Sequence, residues 1–147
     1  MMKPWWFALM FSAVVVLAPL RINAQEIRQE RVHFAAGASS ATVTGSIKGD
    51  AGVDYLLSAA AGQTMTVTLK TSNSSSYFNV LPPGSQTAIF IGSTSGNEWT
   101  GTLPSTGDYT VRVYMMRNAA RRGEKAKYSI SFAVTGSAGT ATQETPR

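Results

Sequence analysis

Apolar and polar residues alternate with period two along most of this chain. Tyr109, Val111, Val113 and Met115 interleave with Thr110, Arg112, Tyr114 and Met116. Tyr128, Ile130, Phe132 and Val134 interleave in the same way with Ser129, Ser131, Ala133 and Thr135. A period of two predicts strands that bury one face and wet the other. Further runs follow the rule. Val32 and Phe34 alternate with Arg31 and His33. Ala41, Val43, Gly45 and Ile47 alternate with Thr42, Thr44, Ser46 and Lys48, and Met65, Val67 and Leu69 with Thr64, Thr66, Thr68 and Lys70. Val53 to Ala59 is less regular because Leu56 and Leu57 adjoin, and Tyr77 to Leu81, Ala88 to Ile91 and Glu98 to Leu103 are shorter strands. Turn residues punctuate these runs, as in Gly49-Asp50-Ala51-Gly52, Ala61-Gly62-Gln63, Pro82-Pro83-Gly84, Ser95-Gly96-Asn97 and Thr106-Gly107-Asp108. Many short strands with regular turns predict an all-β fold, an antiparallel β-sandwich or jelly roll of about eight strands in a single domain. No helix is expected beyond one turn at Asn118 to Arg122.

The first residues break this pattern. Lys3 precedes an apolar stretch from Trp5 to Leu20, and Ile22-Asn23-Ala24 ends on a small residue. That is the form of a Sec-type secretory signal peptide cleaved after Ala24, and the run is short for a membrane span of about 20 residues. An uncleaved anchor is the alternative. The expected organisation is a leader at 1–24, a sandwich domain at 25–136 and a small, polar, flexible tail at 137–147, with the protein periplasmic or secreted and no membrane insertion once the leader is gone. The chain has no cysteine. Export without disulfides points to a bacterial protein and removes thiol chemistry and cysteine metal sites.

Charge adds a focus. Without its leader the chain has 11 basic and 8 acidic residues, but Tyr109 to Val134 alone holds six basic residues and one acid. Most of these lie in Arg117-Asn118-Ala119-Ala120-Arg121-Arg122-Gly123-Glu124-Lys125-Ala126-Lys127, between two strands that would hold the ends of the loop. Rigidly framed loops are where binding groups tend to sit, and a local positive patch steers acidic partners. Read without any relative, the loop is the solvated end of a hairpin, with charge that protects a sheet edge.

Catalysis has little support. His33 is the only histidine and falls on a polar strand face. Asp50 and Asp54 are near each other, as in a glycosidase carboxylate pair, but Asp50 reads as turn chemistry and Asp54 as an outward strand residue. Neither a metal nor a cofactor is expected. Export and a basic loop without interleaved aromatics argue against nucleic acid.

From Val32 to Val134 the chain resembles the periplasmic inhibitors of g-type (goose-type) lysozyme, a family related to pre-peptidase C-terminal β-sandwich domains. The resemblance is carried by Ser39-Ser40-Ala41, Gly45-Ser46-Ile47-Lys48-Gly49, Tyr55, Ala61-Gly62-Gln63, Leu103-Pro104 with Gly107 and Tyr109, Arg112-Val113 and Tyr128. Its most discriminating element is Arg117-Asn118-x-Ala120-Arg121, which a sandwich does not require. The resemblance implies a non-enzyme that occludes a muramidase cleft with an arginine-bearing loop, with g-type lysozyme as partner and peptidoglycan near by. Arg117 and Arg121 would meet cleft carboxylates through their planar, permanently charged forks. Asn118 would orient the loop or bond the cleft wall, and Arg122, Lys125 and Lys127 would steer the encounter. The family places aromatic residues, chiefly tyrosine, after its Lys-Gly. Here Asp50-Ala51-Gly52 follows Gly49, so Asp50 stands at the partner surface, and Tyr114 or Tyr77 would have to supply the aromatic contact. The competing class is an envelope module that binds carbohydrate or protein without inhibiting anything, with Trp99, Tyr77 and Tyr114 as stacking residues. Trp99 also reads as core.

The leader makes a direct prediction. Intact-mass analysis of exported protein should show a chain that begins at Gln25, and a full-length membrane-bound species would contradict it.

Overall fold

The structure, a computed structural model, describes residues 26–137. The expected leader and the tail beyond Ser137 lie outside the described residues. Within them nine strands form two sheets: β1 (Ile27–Arg31), β2 (Ser40–Lys48), β3 (Gly52–Ala59), β4 (Thr64–Thr71), β5 (Ser76–Leu81), β6 (Phe90–Ile91), β7 (Glu98–Thr102), β8 (Gly107–Met115) and β9 (Lys125–Thr135). One sheet has the order β1-β3-β8-β5-β6 and the other β2-β9-β4-β7. The fold is therefore the expected single-domain β-sandwich. Two single helical turns interrupt it, α1 (Gly92–Ser95) and α2 (Arg117–Arg121).

The alternation in sequence becomes the core. Tyr109, Val111 and Val113 of β8 and Ile130 and Phe132 of β9 are all 0% exposed. Each lies on the single parity of its strand that faces the opposite sheet. Tyr55 and Tyr128, from opposite sheets, share a hydrogen bond of 2.7 Å between their hydroxyls, and Tyr55 also tilts against Phe132 at 5.5 Å. Burial pushes both phenols above their ordinary pKa, so the two remain neutral and satisfy one another inside an apolar layer. Gly45 makes room for this arrangement: a Cβ there would stand 2.6 Å from the Tyr128 hydroxyl oxygen.

Three expectations need correction. The first strand is Ile27–Arg31, not the run around Val32 and Phe34. Those two residues do pack half-buried on the core, but regular pairing ends at the bond from Val32 N–H to Leu56 O, 2.9 Å. The strand before them is polar and charged, as edge strands tend to be, which hid it from a hydrophobic pattern. It also runs parallel to β3, so the sandwich is not wholly antiparallel. Finally, Asp54 points outward but is only 5% exposed. Its register partner on β8 is Arg112, whose guanidinium spans the carboxylate at 2.7 and 2.8 Å.

The turn motifs lie between or at the ends of strands, and those around Gly62 and Leu103 meet at one end of the sandwich. Gly62 N–H donates to Leu103 O at 2.9 Å and Leu103 N–H to Gln63 O at 2.8 Å, while the Gln63 side chain reaches Gly136 O at 3.0 Å. Tyr109 donates its hydroxyl to Ser105 O at 2.7 Å, a tyrosine corner that ties the start of β8 to the chain before it.

Phe132 joins the aromatic contacts between the sheets, so Phe132→Ala should destabilise the fold by about 3–5 kcal/mol. Chemical denaturation measures this, and an unchanged unfolding midpoint would be incompatible with the burial of that ring.

Candidate functional site

β8 and β9 follow one another in sequence but occupy the centres of different sheets. The basic connection is therefore not the end of a hairpin. It is a crossing over the end of the sandwich opposite the Gly62 and Leu103 turns, beside the β2–β3 turn, whose Gly49 N–H donates to Glu124 O at 2.9 Å. Its first part is α2. Ala119 is 0% and Ala120 6% exposed, and both belong to the core cluster. Two adjacent small side chains let the backbone lie directly on the end of the core. Arg117, Asn118, Arg121 and Arg122 are consequently left exposed.

Arg117 and Arg121 stand four residues apart and so share one face of the turn. Like charges at this spacing weaken an isolated helix by about 0.2–0.5 kcal/mol, and the turn is held by its surroundings instead. Met116 N–H donates to Ser75 O at 2.8 Å, and Ala120 N–H to Met116 O at 2.9 Å. At the other end, Gly123 N–H donates to Ala120 O at 2.9 Å and Glu124 N–H to Ala119 O at 3.2 Å. Gly123 has φ +65°, a left-handed helix end that a side chain would strain. Asn118 Oδ1 accepts the Ala119 N–H at 2.8 Å, so this residue is turned toward its own loop.

The basic residues of the segment divide by partner. Arg112 is engaged by Asp54 on the outer face of the five-stranded sheet. Arg122 Nε donates to Glu124 Oε2 at 2.7 Å. Both were counted as free charge in the sequence, and the patch is smaller than that count. Among the described residues, Arg117 and Arg121 have no acidic partner within 4.0 Å. Lys125 and Lys127 belong to β9 and point to the outer face of the four-stranded sheet.

A cavity of about 330 Å³ opens beside α2, lined among others by Asp50, Tyr114, Met116, Arg117 and Ala120. It brings together three of the residues singled out in the sequence, Asp50, Tyr114 and Arg117. Asn118, Arg121 and Arg122 lie outside its lining. Tyr114 is half-buried on the outer sheet face, directly opposite Tyr77 of β5. Trp99 is remote from it, half-buried and 6.1 Å from the Phe90 ring. Among the described residues no group of three His, Cys, Asp or Glu side chains is placed to hold a metal.

Two further residues were not singled out in the sequence. Met116 reads as the last polar-face position of a strand, yet it is 38% exposed at the cavity, an apolar side chain between Tyr114 and Arg117. Asn73 stands in the polar run Asn73-Ser74-Ser75, which carries no charge or hydrophobic pattern. Its Nδ2 donates to Glu124 Oε1 and to Lys125 O, each at 3.1 Å, while its Oδ1 accepts Ser75 N–H at 2.9 Å. It thus fastens the far end of the crossing to the β4–β5 connection. The Asn-x-Ser turn pattern was the available signal, but its partner lies 51 residues away.

No family model matches the chain. The inhibitor of g-type lysozyme of Escherichia coli K12 is 29% identical over 127 residues, spanning 84% of this chain and 94% of that protein. The crystal structure of Salmonella Typhimurium PliG, a periplasmic lysozyme inhibitor of g-type lysozyme, matches with a TM-score of 0.59 and 28% identity over 74% of this chain and 98% of that one. Aeromonas hydrophila PliG, described in the same words, matches with a TM-score of 0.70 and 41% identity over 76% of this chain and 100% of that one. This chain belongs to the PliG family. A family of inhibitors agrees with the reading of the sequence as a non-enzyme. The two aspartates that suggested a carboxylate pair are placed apart in role, Asp54 held by Arg112 and Asp50 at the cavity beside Arg117.

Asn73 first, and then Arg122, hold the Glu124 carboxyl below its ordinary pKa of 4.5. A carboxylate with a lowered folded-state pKa contributes stability that is present above about 4.5 and fades as pH falls through the folded value. Asn73→Ala should therefore move the Glu124 pKa back toward 4.5 in an NMR titration. It should also speed amide exchange from Arg121 to Lys125. A Glu124 titration unchanged by the substitution would contradict this role.

Proposed function

We propose that this protein is a periplasmic inhibitor of g-type lysozyme, and that it closes the enzyme's substrate cleft with α2, using Arg117 and Arg121 as its keys. One observation carries the choice of residues. Arg112 and Arg122 are matched with internal carboxylates, whereas Arg117 and Arg121 share an exposed face of a turn clamped at both ends. A rigid, unmatched pair of guanidinium forks suits a cleft that carries catalytic carboxylate, because each fork can make two parallel charge-assisted bonds. Met116 and Tyr114 would supply apolar and aromatic surface beside them, the residue types that tend to anchor protein interfaces. Tyr114 takes the part of the aromatic residue absent after Gly49. Asp50, at the same cavity, places a negative charge at the rim and would bias the choice among lysozymes. Asn118 acts on the shape of the loop rather than on the partner. Arg122, held by Glu124, contributes less than the two keys.

Specific interfaces bury about 800 Å² per partner and concentrate their energy in a few residues. Truncating Arg117 or Arg121 to alanine should cost about 2–5 kcal/mol of binding, chiefly through faster dissociation. Arg122→Ala should cost less and act on the association rate, in a manner that salt suppresses. All three variants should melt like wild type, since these side chains lie outside the packed faces. Surface plasmon resonance against a g-type lysozyme, with a cell-wall clearing assay alongside, measures both effects. If the Arg117→Ala, Arg121→Ala double variant binds and inhibits like wild type, the arginines are not the keys. If wild type binds no lysozyme, the inhibitor reading itself fails.

A further inference from the structure

The outer face of the four-stranded sheet carries a second cationic feature apart from α2. Lys48 of β2 is the direct register partner of Lys125 of β9, and Lys127 lies next along β9 on the same face, opposite Ser46. Lys70 of β4 follows one row further, opposite Ser129. All four lysines are exposed. None is in an ion pair among the described residues. Like charges directly opposite one another on a sheet are destabilising. Same-face rows are spaced by about 6.8 Å and neighbouring strands by about 4.8 Å, so the stripe spreads four positive charges over about 14 Å along the strands and about 10 Å across them. Glu98, opposite Thr68 on β7, lies diagonal to Lys70 but forms no ion pair with it, and Glu124 at the loop is already held by Asn73 and Arg122. A shallow depression of about 530 Å³ lies beside two of them, lined by Lys70 and Lys127 with Thr44, Ser46 and Ser129.

We propose that this lysine stripe binds peptidoglycan, its ammonium groups meeting the carboxylates of the wall polymer and its serine and threonine rows meeting the sugar hydroxyls. The surface chemistry selects this class of partner. Protein interfaces are depleted in lysine and serine and enriched in aromatic residues, methionine and arginine, which describes the α2 end of this molecule and not this face. A lysine cluster also meets anionic headgroups by charge alone, but this face adds no apolar side chains to insert beside it, and its rows of hydroxyls suit a glycan. Single-stranded nucleic acid would call for stacking aromatics. A carboxylate-bearing glycan needs neither. Its negative groups would also relieve the repulsion between Lys48 and Lys125. Such a surface would keep the protein close to the polymer on which a lysozyme acts.

Co-sedimentation with purified Gram-negative sacculi tests the proposal. No lysozyme enters the assay, so its outcome is independent of the inhibitor reading. Wild type should pellet with sacculi at low salt and be released as salt rises. Sacculi whose carboxylates have been amidated with carbodiimide and ethanolamine should bind it at least ten-fold more weakly. The Lys48→Ser, Lys125→Ser, Lys127→Ser variant should lose at least ten-fold in affinity while melting no lower than wild type. The corresponding triple arginine variant should bind as wild type does. The proposal is overturned if the serine variant binds normally, if amidation changes nothing, if the arginine variant fails as well, or if phosphatidylglycerol vesicles capture wild type in place of sacculi.

Discussion

Two central strands, β8 and β9, are consecutive in the chain but belong to opposite sheets, and the segment between them must cross the open end of the core. That crossing governs what its residues can be. Whatever lies over the end of a sandwich excludes water from the layer beneath, so positions facing inward must be apolar, and here they must also be small. Ala119 and Ala120 meet that demand. With two adjacent positions turned inward in a single helical turn, the flanking arginines have nowhere to go but outward. The site is thus a consequence of connectivity. A hairpin at the same place would have presented the same residues without any reason to fix their direction.

The charges of this protein are sorted by geometry rather than by number. A largely buried bidentate pair on an outer sheet face, such as Asp54 with Arg112, gains little net stability from its attraction, but leaving either partner alone and desolvated would be costly. It acts as a constraint on neighbouring strands β3 and β8. Arg122 with Glu124 and Asn73 does similar work at the far end of the crossing, where exposure and solvent screening keep the electrostatic gain small. Arg28 and Arg31 are likewise paired, with Glu30 and Asp108, and among the described residues the cations without an ion pair fall in two places, the arginines of α2 and the lysines of β2, β4 and β9. The two differ in chemistry as well as position. One is planar, rigid and bordered by methionine and tyrosine. The other is mobile, strongly hydrated and set among hydroxyls.

The two ends of the sandwich divide its tasks. At one end, Gln63, Leu103, Ser105 and Tyr109 join turns by backbone and side-chain hydrogen bonds, which sets the register of the sheets. At the other, the β2–β3 turn, the β4–β5 connection and α2 converge around Asp50, Asn73 and Arg117. Between them, Tyr55 and Tyr128 link the sheets through a bond for which Gly45 leaves room, since a Cβ there would stand 2.6 Å from the Tyr128 hydroxyl oxygen.

Much of this fold could be read without coordinates, because strand periodicity is local. Alternation in β8 and β9 identified Val111, Val113, Ile130 and Phe132 as core, since in an extended chain every second side chain shares a face whatever it pairs with. The Arg-x-x-x-Arg spacing of α2 was equally legible. Pairing was not. The polar strand β1 carries no hydrophobic signal, because its place at the sheet edge is secured by backbone hydrogen bonds that any sequence can make. Asp54 looked like a solvated residue, since only the register of β3 against β8 brings Arg112 over it. The role of Asn73 and the meeting of Lys48 with Lys125 depend in the same way on contacts between residues 51 and 77 positions apart. The sequence by itself determined which faces are buried, where the chain turns and which residues bear charge. Only the tertiary structure decided which charges are matched and which are left unmatched, because that depends on strands brought together from distant parts of the chain, and no local pattern encodes their partners.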